Sequence, residues 1–245
     1  MDSSDQPWWP QPRGKTRVIV PIVAQSPTAA IDQARDIVES GVDLVEWRVD
    51  YLDSQFLEPE GVINLAKEIR QVVSSMPLIF TWRTADEGGV AEPLWDEQYE
   101  ACLMTIIDSG AVDLVDIQTH HPAAKQLIEA AQSRQLPIIG SWHDTSGTPP
   151  LSAMVAELEI AEAIGADVAK LAVTAVVEAD AQSLLAATAA RAEEAKVPLV
   201  TVAMGEAGQA SRIYGHLYGS SATFASLGQA SAPGQPSLAE LRANW

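Results

Sequence analysis

"GADVAKLAV" at residues 165–173 places a glycine and an aspartate before a short apolar run. Two other stretches share this layout, "GVDLVEWRV" at 41–49 and "GAVDLVDIQ" at 110–118. A glycine just after a helix end, followed by a buried strand, produces such a pattern. Its recurrence predicts a chain in which helices repeatedly lead into parallel strands.

Eight strand candidates run along the chain, with helical periodicity between them. The strands are predicted at 17–23, 42–48, 77–83, 112–118, 137–143, 166–173, 198–204 and 222–226. Helices are predicted at 27–40, 61–75, 123–134 and 151–165, among others. Eight β/α units in about 225 residues match the size of an α/β chain folded as a (β/α)8 TIM barrel. We predict one catalytic domain at 17–245, preceded by a flexible N-terminal arm at 1–16.

A doubly wound open sheet is the alternative architecture. It would carry a glycine-rich nucleotide-binding turn after its first strand. The corresponding stretch here, "PIVAQSPTAA" at 21–30, contains no glycine. The barrel is therefore the preferred interpretation.

Charge and composition limit the partners and the cellular location that we expect for this protein. Fifteen basic against 33 acidic residues give a formal net charge of −18, which disfavours nucleic acid and anionic membrane surfaces as partners. The single cysteine, Cys102, fits a reducing compartment. The acidic, proline-containing start does not resemble a secretory signal, so we expect a cytoplasmic protein.

Polar residues recur where the predicted strands end, which is the face of a barrel that carries active sites. They are Glu46, Arg48, Arg83, Glu87, His143, Lys170 and Arg212. Taken singly, each also fits a structural ion pair, a loop hydrogen bond or a surface charge. The histidines lack metal-ligand spacing, and we expect no metal.

Lys170 lies within an apolar strand, where an ammonium needs a partner or a lowered pKa. A neutral lysine amine is a nucleophile toward ketones and aldehydes. His143 ends the preceding strand and supplies an acid/base within reach, and Glu87 is a candidate to orient it. The residues indicate Schiff-base chemistry on a small anionic carbonyl compound, a class that includes aldolases and dehydratases. A purely structural ion pair for Lys170 is the alternative.

Six blocks, in order, resemble the type I 3-dehydroquinate dehydratase family. They are "VEWRVDYL" (45–52), "LIFTWRTADEGG" (78–89), "GSWHDTSGTP" (140–149), "ADVAKLAV" (166–173), "MGEAGQASR" (204–212) and "GSSATFASLGQASAPGQ" (219–235). The resemblance implies a cofactor-free barrel enzyme of the shikimate pathway that interconverts 3-dehydroquinate and 3-dehydroshikimate. It also implies a homodimer.

The resemblance further implies a role for each matched residue. Lys170 would form the imine, His143 would act as acid and base, and Glu87 would orient His143. Arg212 would bind the substrate carboxylate, and the remaining positions would surround the ring and its hydroxyls: Glu46, Arg48, Arg83, Ser231 and Gln235. The "SAPGQ" segment would close over bound substrate.

Two positions depart from the family pattern. Pro21 stands where some members have a serine, and Gln118 stands where glutamate is usual. A class I Schiff-base aldolase is the enzyme alternative, although aldolases that bind sugar phosphates more often have a glycine-rich phosphate site. A catalytically inactive barrel used for binding or regulation is the third interpretation.

Overall fold

The computed structural model describes residue 9, residues 16–90 and residues 98–245. In this part of the chain, eight strands alternate with eight α-helices. The strands are β1 (Arg17–Ile22), β2 (Leu44–Arg48), β3 (Leu78–Thr81), β4 (Leu114–Gln118), β5 (Ile138–Asp144), β6 (Val168–Thr174), β7 (Leu199–Met204) and β8 (Ala222–Phe224). The helices are α1 (Pro27–Ser40), α2 (Pro59–Val73), α3 (Tyr99–Ser109), α4 (Ala124–Ser133), α5 (Leu151–Ala163), α6 (Glu178–Ala192), α7 (Gln209–Tyr214) and α8 (Leu238–Ala243).

All pairings between neighbouring strands are parallel, in the order β7-β6-β5-β4-β3-β2-β1-β8. A parallel bridge from Leu199 to Ser220 and a 2.7 Å hydrogen bond from Ser221 N–H to the Leu199 carbonyl bring the two ends together. The sheet therefore closes into a barrel. The predicted fold is confirmed, and the doubly wound alternative is excluded because its strand order reverses partway.

Local sequence signals set the limits of α1. Ser26 caps its start by accepting a hydrogen bond of 3.4 Å from the Ala29 N–H, and Pro27 occupies the first turn. Gly41 ends the helix at φ +68°, a left-handed conformation that glycine adopts without a Cβ penalty. Among the described residues, no helix combines the length and the apolar character that a membrane crossing requires.

The barrel interior is divided into an apolar part and a polar part. Alternation along β2 turns Leu44, Glu46 and Arg48 to the inside, while Val45 and Trp47 pack against the outer helices. One apolar cluster fills the part nearer the strand starts: Trp9, Ile19, Leu44, Ile79, Leu114, Ile139, Val168, Val200 and Ala222, among others. Charged side chains follow toward the strand ends, so the apolar residues form a floor beneath the polar ones.

Trp9 belongs to this interior cluster and is fully buried. It is one of two residues of the predicted arm that the structure describes, Thr16 being the other; residues 1–8 and 10–15 lie outside the described residues. A tryptophan from ahead of the first strand therefore completes the packing of the barrel interior.

Replacing Trp9 with Ala should destabilise the protein because it leaves a large cavity in the interior cluster. We expect a loss of about 3–5 kcal/mol in the free energy of unfolding, measured by urea denaturation. Trp245→Ala is the matched control, since that side chain is 45% exposed. Equal losses of unfolding free energy in both variants would show that burial of Trp9 contributes nothing to stability.

Candidate active site

A pocket of about 330 Å³ opens at the carboxyl ends of the strands. Eight of the nine predicted site residues line it: Glu46, Arg48, Arg83, Glu87, His143, Lys170, Arg212 and Ser231. Gln235 lies behind Ser231, where its Oε1 accepts hydrogen bonds from the Ser231 N–H (2.7 Å) and hydroxyl (2.8 Å). The structure therefore brings residues from six segments of the sequence into one site.

Lys170 points into the barrel from the middle of β6. Its Nζ lies 2.9 Å from Asp116 Oδ2 and 3.4 Å from Glu46 Oε1. The ring of Phe224 lies beneath the ammonium, 4.8 Å from Nζ to the ring centroid. The groups in direct contact with the amine are thus two acids and an aromatic face.

Asp116 is a site residue that the sequence analysis left out of the predicted set. It lies in β4 and is fully buried, and it accepts hydrogen bonds from Arg83 Nη2 (2.7 Å), Ser141 Oγ (2.5 Å) and Lys170. Burial alone would raise its pKa, but the charges of Arg83 and Lys170 outweigh burial and bring the pKa to about 2. An acid at an inward position of "VDLVDIQ" was the available signal.

Glu87 and His143 form a hydrogen-bonded pair. His143 Nδ1 lies 2.8 Å from Glu87 Oε2, and Arg83 Nη1 donates to the same oxygen at 3.0 Å. Burial, together with the charges of Arg83 and Lys170, holds the pKa of His143 well below its usual value. Burial raises the pKa of Glu87 to about 7, against the opposing charge of Arg83. The imidazole is therefore neutral, and Nε2 remains available to a molecule in the pocket.

A tight turn holds Glu87 in place. Gly88 adopts φ +84°, and a Cβ on Gly89 would lie 1.9 Å from the Arg83 carbonyl oxygen. Gln118 fixes the start of this turn, because its amide accepts from the Thr84 N–H and donates to the Thr84 hydroxyl, both at 2.9 Å. Gln118 thus contacts the Glu87 turn, while the acid on Lys170 is Asp116.

Arg48 is held by Asp50, which accepts from its Nε at 2.8 Å and its Nη2 at 2.7 Å. Burial opposes the charge on Arg48, but Asp50 outweighs burial and raises the pKa of the guanidinium. Asp50 also accepts from the backbone N–H groups of Arg83 (3.4 Å) and Val90 (3.3 Å). One carboxylate therefore fixes Arg48 and both ends of the turn that carries Glu87.

Arg212 differs from the other arginines of the site. It lies in α7 and is 2% exposed, yet among the described residues no carboxylate lies within ion-pair distance of it. Its Nη2 donates to the Pro233 carbonyl at 3.4 Å, and its buried Nε has no partner among these residues. Burial lowers its pKa to about 10. A buried guanidinium without a counter-ion, at the wall of a pocket, is suited to bind an anion.

The "SAPGQ" segment lies over the pocket and is tied to two other loops. The Tyr51 hydroxyl donates to the Ser231 carbonyl at 3.3 Å, and the Gly205 N–H donates to the Pro233 carbonyl at 3.0 Å. A Cβ on Gly234 would lie 2.1 Å from the Gly205 carbonyl oxygen, so this contact requires glycine. Ser231, Ala232 and Pro233 form part of the pocket wall.

Pro21 contributes no side-chain hydrogen bond, as the sequence predicts, and it does not line the main pocket. It lies in β1 opposite Glu46 of β2. No residue of β1 is among the residues that line the pocket, so β1 contributes no polar side chain to it.

The chain is similar in sequence and in overall structure to known proteins. The sequence model described as "Type I 3-dehydroquinase" matches residues 18–244. A "3-dehydroquinate dehydratase" of Klebsiella pneumoniae is 38% identical over 94% of this chain and 92% of its own length. The crystal structure of 3-dehydroquinate dehydratase from Geobacillus kaustophilus has a TM-score of 0.89 at 31% identity, covering 94% of this chain and 90% of that one.

A second solved structure carries a covalently modified ligand. It is described as a type I 3-dehydroquinate dehydratase from Clostridium difficile with covalent modified comenic acid, and it has a TM-score of 0.86 at 31% identity. It covers 95% of this chain and 92% of its own. On this agreement in sequence and structure over nearly the whole chain, the protein belongs to the type I 3-dehydroquinase family.

Proposed function

We propose that the pocket converts 3-dehydroquinate to 3-dehydroshikimate, with loss of water, through an imine on Lys170. Membership of the family supports the reaction. The observation that carries the assignment to these residues is one pocket holding a lysine amine, a neutral histidine and an uncompensated arginine. These groups match the ketone, the acidic C–H bond and the carboxylate of the substrate.

In the first stage the Lys170 amine adds to the ketone and water leaves, which produces a protonated imine. The positive nitrogen withdraws electrons from the neighbouring carbon, so that a proton there becomes removable. His143 Nε2 takes this proton and the electrons flow into an enamine. Glu87 holds Nδ1 and stabilises the imidazolium that results.

In the second stage the enamine electrons return and expel the hydroxyl group. His143 donates its proton to this group, which leaves as water. Hydrolysis of the imine then releases the product and restores Lys170. Ser231, Ala232 and Pro233 cover the pocket and would limit access of solvent to the enamine.

Arg212 is our candidate for the substrate carboxylate, since its charge has no counter-ion in the described protein. Arg48, Glu46 and Ser231 line the pocket and are candidates for the hydroxyl groups. Arg83 also lines it, although its Nη1 and Nη2 donate to Glu87, Ser141 and Asp116. Gln235 would act by holding Ser231.

The alternatives are less well supported. An aldolase would share Lys170, but the comparisons favour a dehydratase, and Arg212 provides a single buried guanidinium rather than a helix-start phosphate site. An inactive barrel has no need of an uncompensated buried cation. A homodimer, a cytoplasmic location and the absence of metal, cofactor, nucleic-acid and membrane partners stay predictions.

Replacing Lys170 with Arg should abolish turnover, because a guanidinium keeps the charge but does not form an imine. We expect no detectable product and no mass adduct after borohydride reduction with 3-dehydroquinate, whereas the unchanged protein gains an adduct on the peptide containing Lys170. Lys170→Ala should in addition lower the free energy of unfolding by roughly 3–5 kcal/mol, since Asp116 and Glu46 lose their shared cation. Appreciable turnover by Lys170→Arg would remove the imine from the mechanism.

Catalysis should fall as the pH decreases through about 7, the pKa of Glu87. A protonated Glu87 donates to Nδ1 instead of accepting from it, which moves the imidazole proton to Nε2 and removes the base. The measurement is kcat against pH. Glu87→Gln should lower kcat and abolish this acidic limb, and an unchanged limb in the variant would assign it to another group.

Replacing Arg212 with Leu should weaken substrate binding and stabilise the free protein. Loss of a buried charge partner costs about 2–5 kcal/mol of binding free energy, which should raise KM roughly 30-fold or more. Removing an uncompensated buried cation should raise the urea midpoint of the ligand-free protein. Arg212→Lys, which keeps a charge, should retain part of the affinity. An unchanged KM in Arg212→Leu would contradict the carboxylate assignment.

A further inference from the structure

The amine of Lys170 needs a proton acceptor before it attacks a ketone. Lysine ammonium groups are almost fully protonated at neutral pH, and an ammonium has no lone pair. Among the described residues, two carboxylates lie within hydrogen-bond distance of Nζ, Asp116 Oδ2 at 2.9 Å and Glu46 Oε1 at 3.4 Å. No hydrogen bond in this part of the chain joins Lys170 to His143, whose Nδ1 is engaged by Glu87.

Asp116 is poorly suited to take the proton, although it is the nearer acid. Its Oδ1 accepts from Arg83 and Ser141, and its Oδ2 accepts from Lys170. Its side chain is fully enclosed. Three donors on one enclosed carboxylate stabilise the ionised form, and its pKa of about 2 agrees with this. Asp116 therefore holds the ammonium in place without accepting its proton.

Glu46 has the features that Asp116 lacks. Its Oε1 accepts from the Thr81 hydroxyl at 2.9 Å and from Lys170. No described residue donates a hydrogen bond to its Oε2, and Glu46 lines the pocket. A carboxylate that is less fully paired and reaches both the amine and the pocket is placed to receive a proton and to return it there.

We propose that Glu46 is the base that deprotonates Lys170 and the acid that completes formation of the imine. This inference rests on the proposed function and adds a catalytic step to it. Glu46 is thus a catalytic residue as well as a candidate for binding a substrate hydroxyl.

The protons balance over the sequence of steps. The ammonium passes one proton to Glu46, and the neutral amine adds its electron pair to the ketone carbon. A second proton moves from the nitrogen to the alkoxide, which gives a neutral carbinolamine. Glu46 then returns its proton to the carbinolamine hydroxyl, and the C–O bond breaks to release water. The nitrogen keeps one hydrogen in the protonated imine, and Glu46 is again a carboxylate beside it.

Several charged or titratable groups surround this pair. The aromatic face of Phe224 stabilises positive charge at Nζ, and Arg48 acts electrostatically on Glu46 from the same strand. The other charged or titratable groups that act on the pair are Tyr51, Asp116, Glu87 and His143. The experiment therefore compares variants that change one group of the pair at a time.

The test is the rate of imine formation, measured by mixing enzyme with saturating 3-dehydroquinate and quenching with borohydride at increasing times. Glu46→Gln keeps an oxygen for Thr81 but does not accept a proton. We expect the final amount of adduct on Lys170 to be retained, with its rate lowered about tenfold or more at neutral pH. That rate should rise about tenfold per pH unit, because the ammonium then loses its proton to hydroxide. The unchanged enzyme should show a nearly flat rate.

Two further proteins complete the design. Thr81→Val removes the hydroxyl on the same oxygen but keeps the carboxylate, and it should retain the flat pH profile. Glu46→Ala should form the imine faster when formate is added, whereas formate should not accelerate the unchanged enzyme. Rescue by formate would show the need for a carboxylate even where the Gln variant folds poorly.

Two results would overturn the proposal. The rate of imine formation in Glu46→Gln could equal that of the unchanged enzyme, or it could be lowered by the same factor at every pH. The second result would mean that Glu46 only binds substrate. Absence of an adduct in the unchanged enzyme would reject the imine itself, which distinguishes failure of the proposed function from failure of this step.

Discussion

The ion pair between Asp116 and Lys170 organises the site. Asp116 joins three neighbouring parts of the barrel, because it accepts hydrogen bonds from Arg83 after β3, Ser141 in β5 and Lys170 in β6. Charges at this depth are costly unless each has a partner. Because Arg83 also binds Glu87, and Glu87 binds His143, the orientation of the imidazole depends on the same buried carboxylate.

The charges of the site fall into two groups. Arg48 and Arg83 have their carboxylate partners within the protein, and so does Lys170, which keeps these groups in fixed positions. Arg212 has no such partner in the described residues, so its buried positive charge is uncompensated. An anionic ligand would compensate this charge. The paired charges are therefore in place before binding, while under the proposed function the substrate carboxylate would supply the missing counter-ion.

The sequence predicted the barrel because alternating strand and helix patterns depend on local periodicity, which is readable without a structure. It also predicted Lys170, His143 and Glu87, since charged residues at apolar strand ends are conspicuous. It did not predict that Asp116 binds Lys170, because that contact joins β4 to β6 across the barrel interior. The family resemblance separated the roles of Arg212 and Arg83, but the residues alone did not show which guanidinium has a carboxylate partner, since that is decided by packing.

The inward direction of Lys170 also bears on how the strands find their register. Side chains alternate along a strand, so shifting β6 by one residue would turn Lys170 toward the outer helices and bring an apolar neighbour inside. Asp116 would then keep Arg83 but lose Lys170, and Glu46 would lose the one cation with which it forms an ion pair among the described residues. The ionic contact therefore penalises a misaligned barrel more strongly than apolar packing alone, and the groups proposed for chemistry also select the correct alignment during folding.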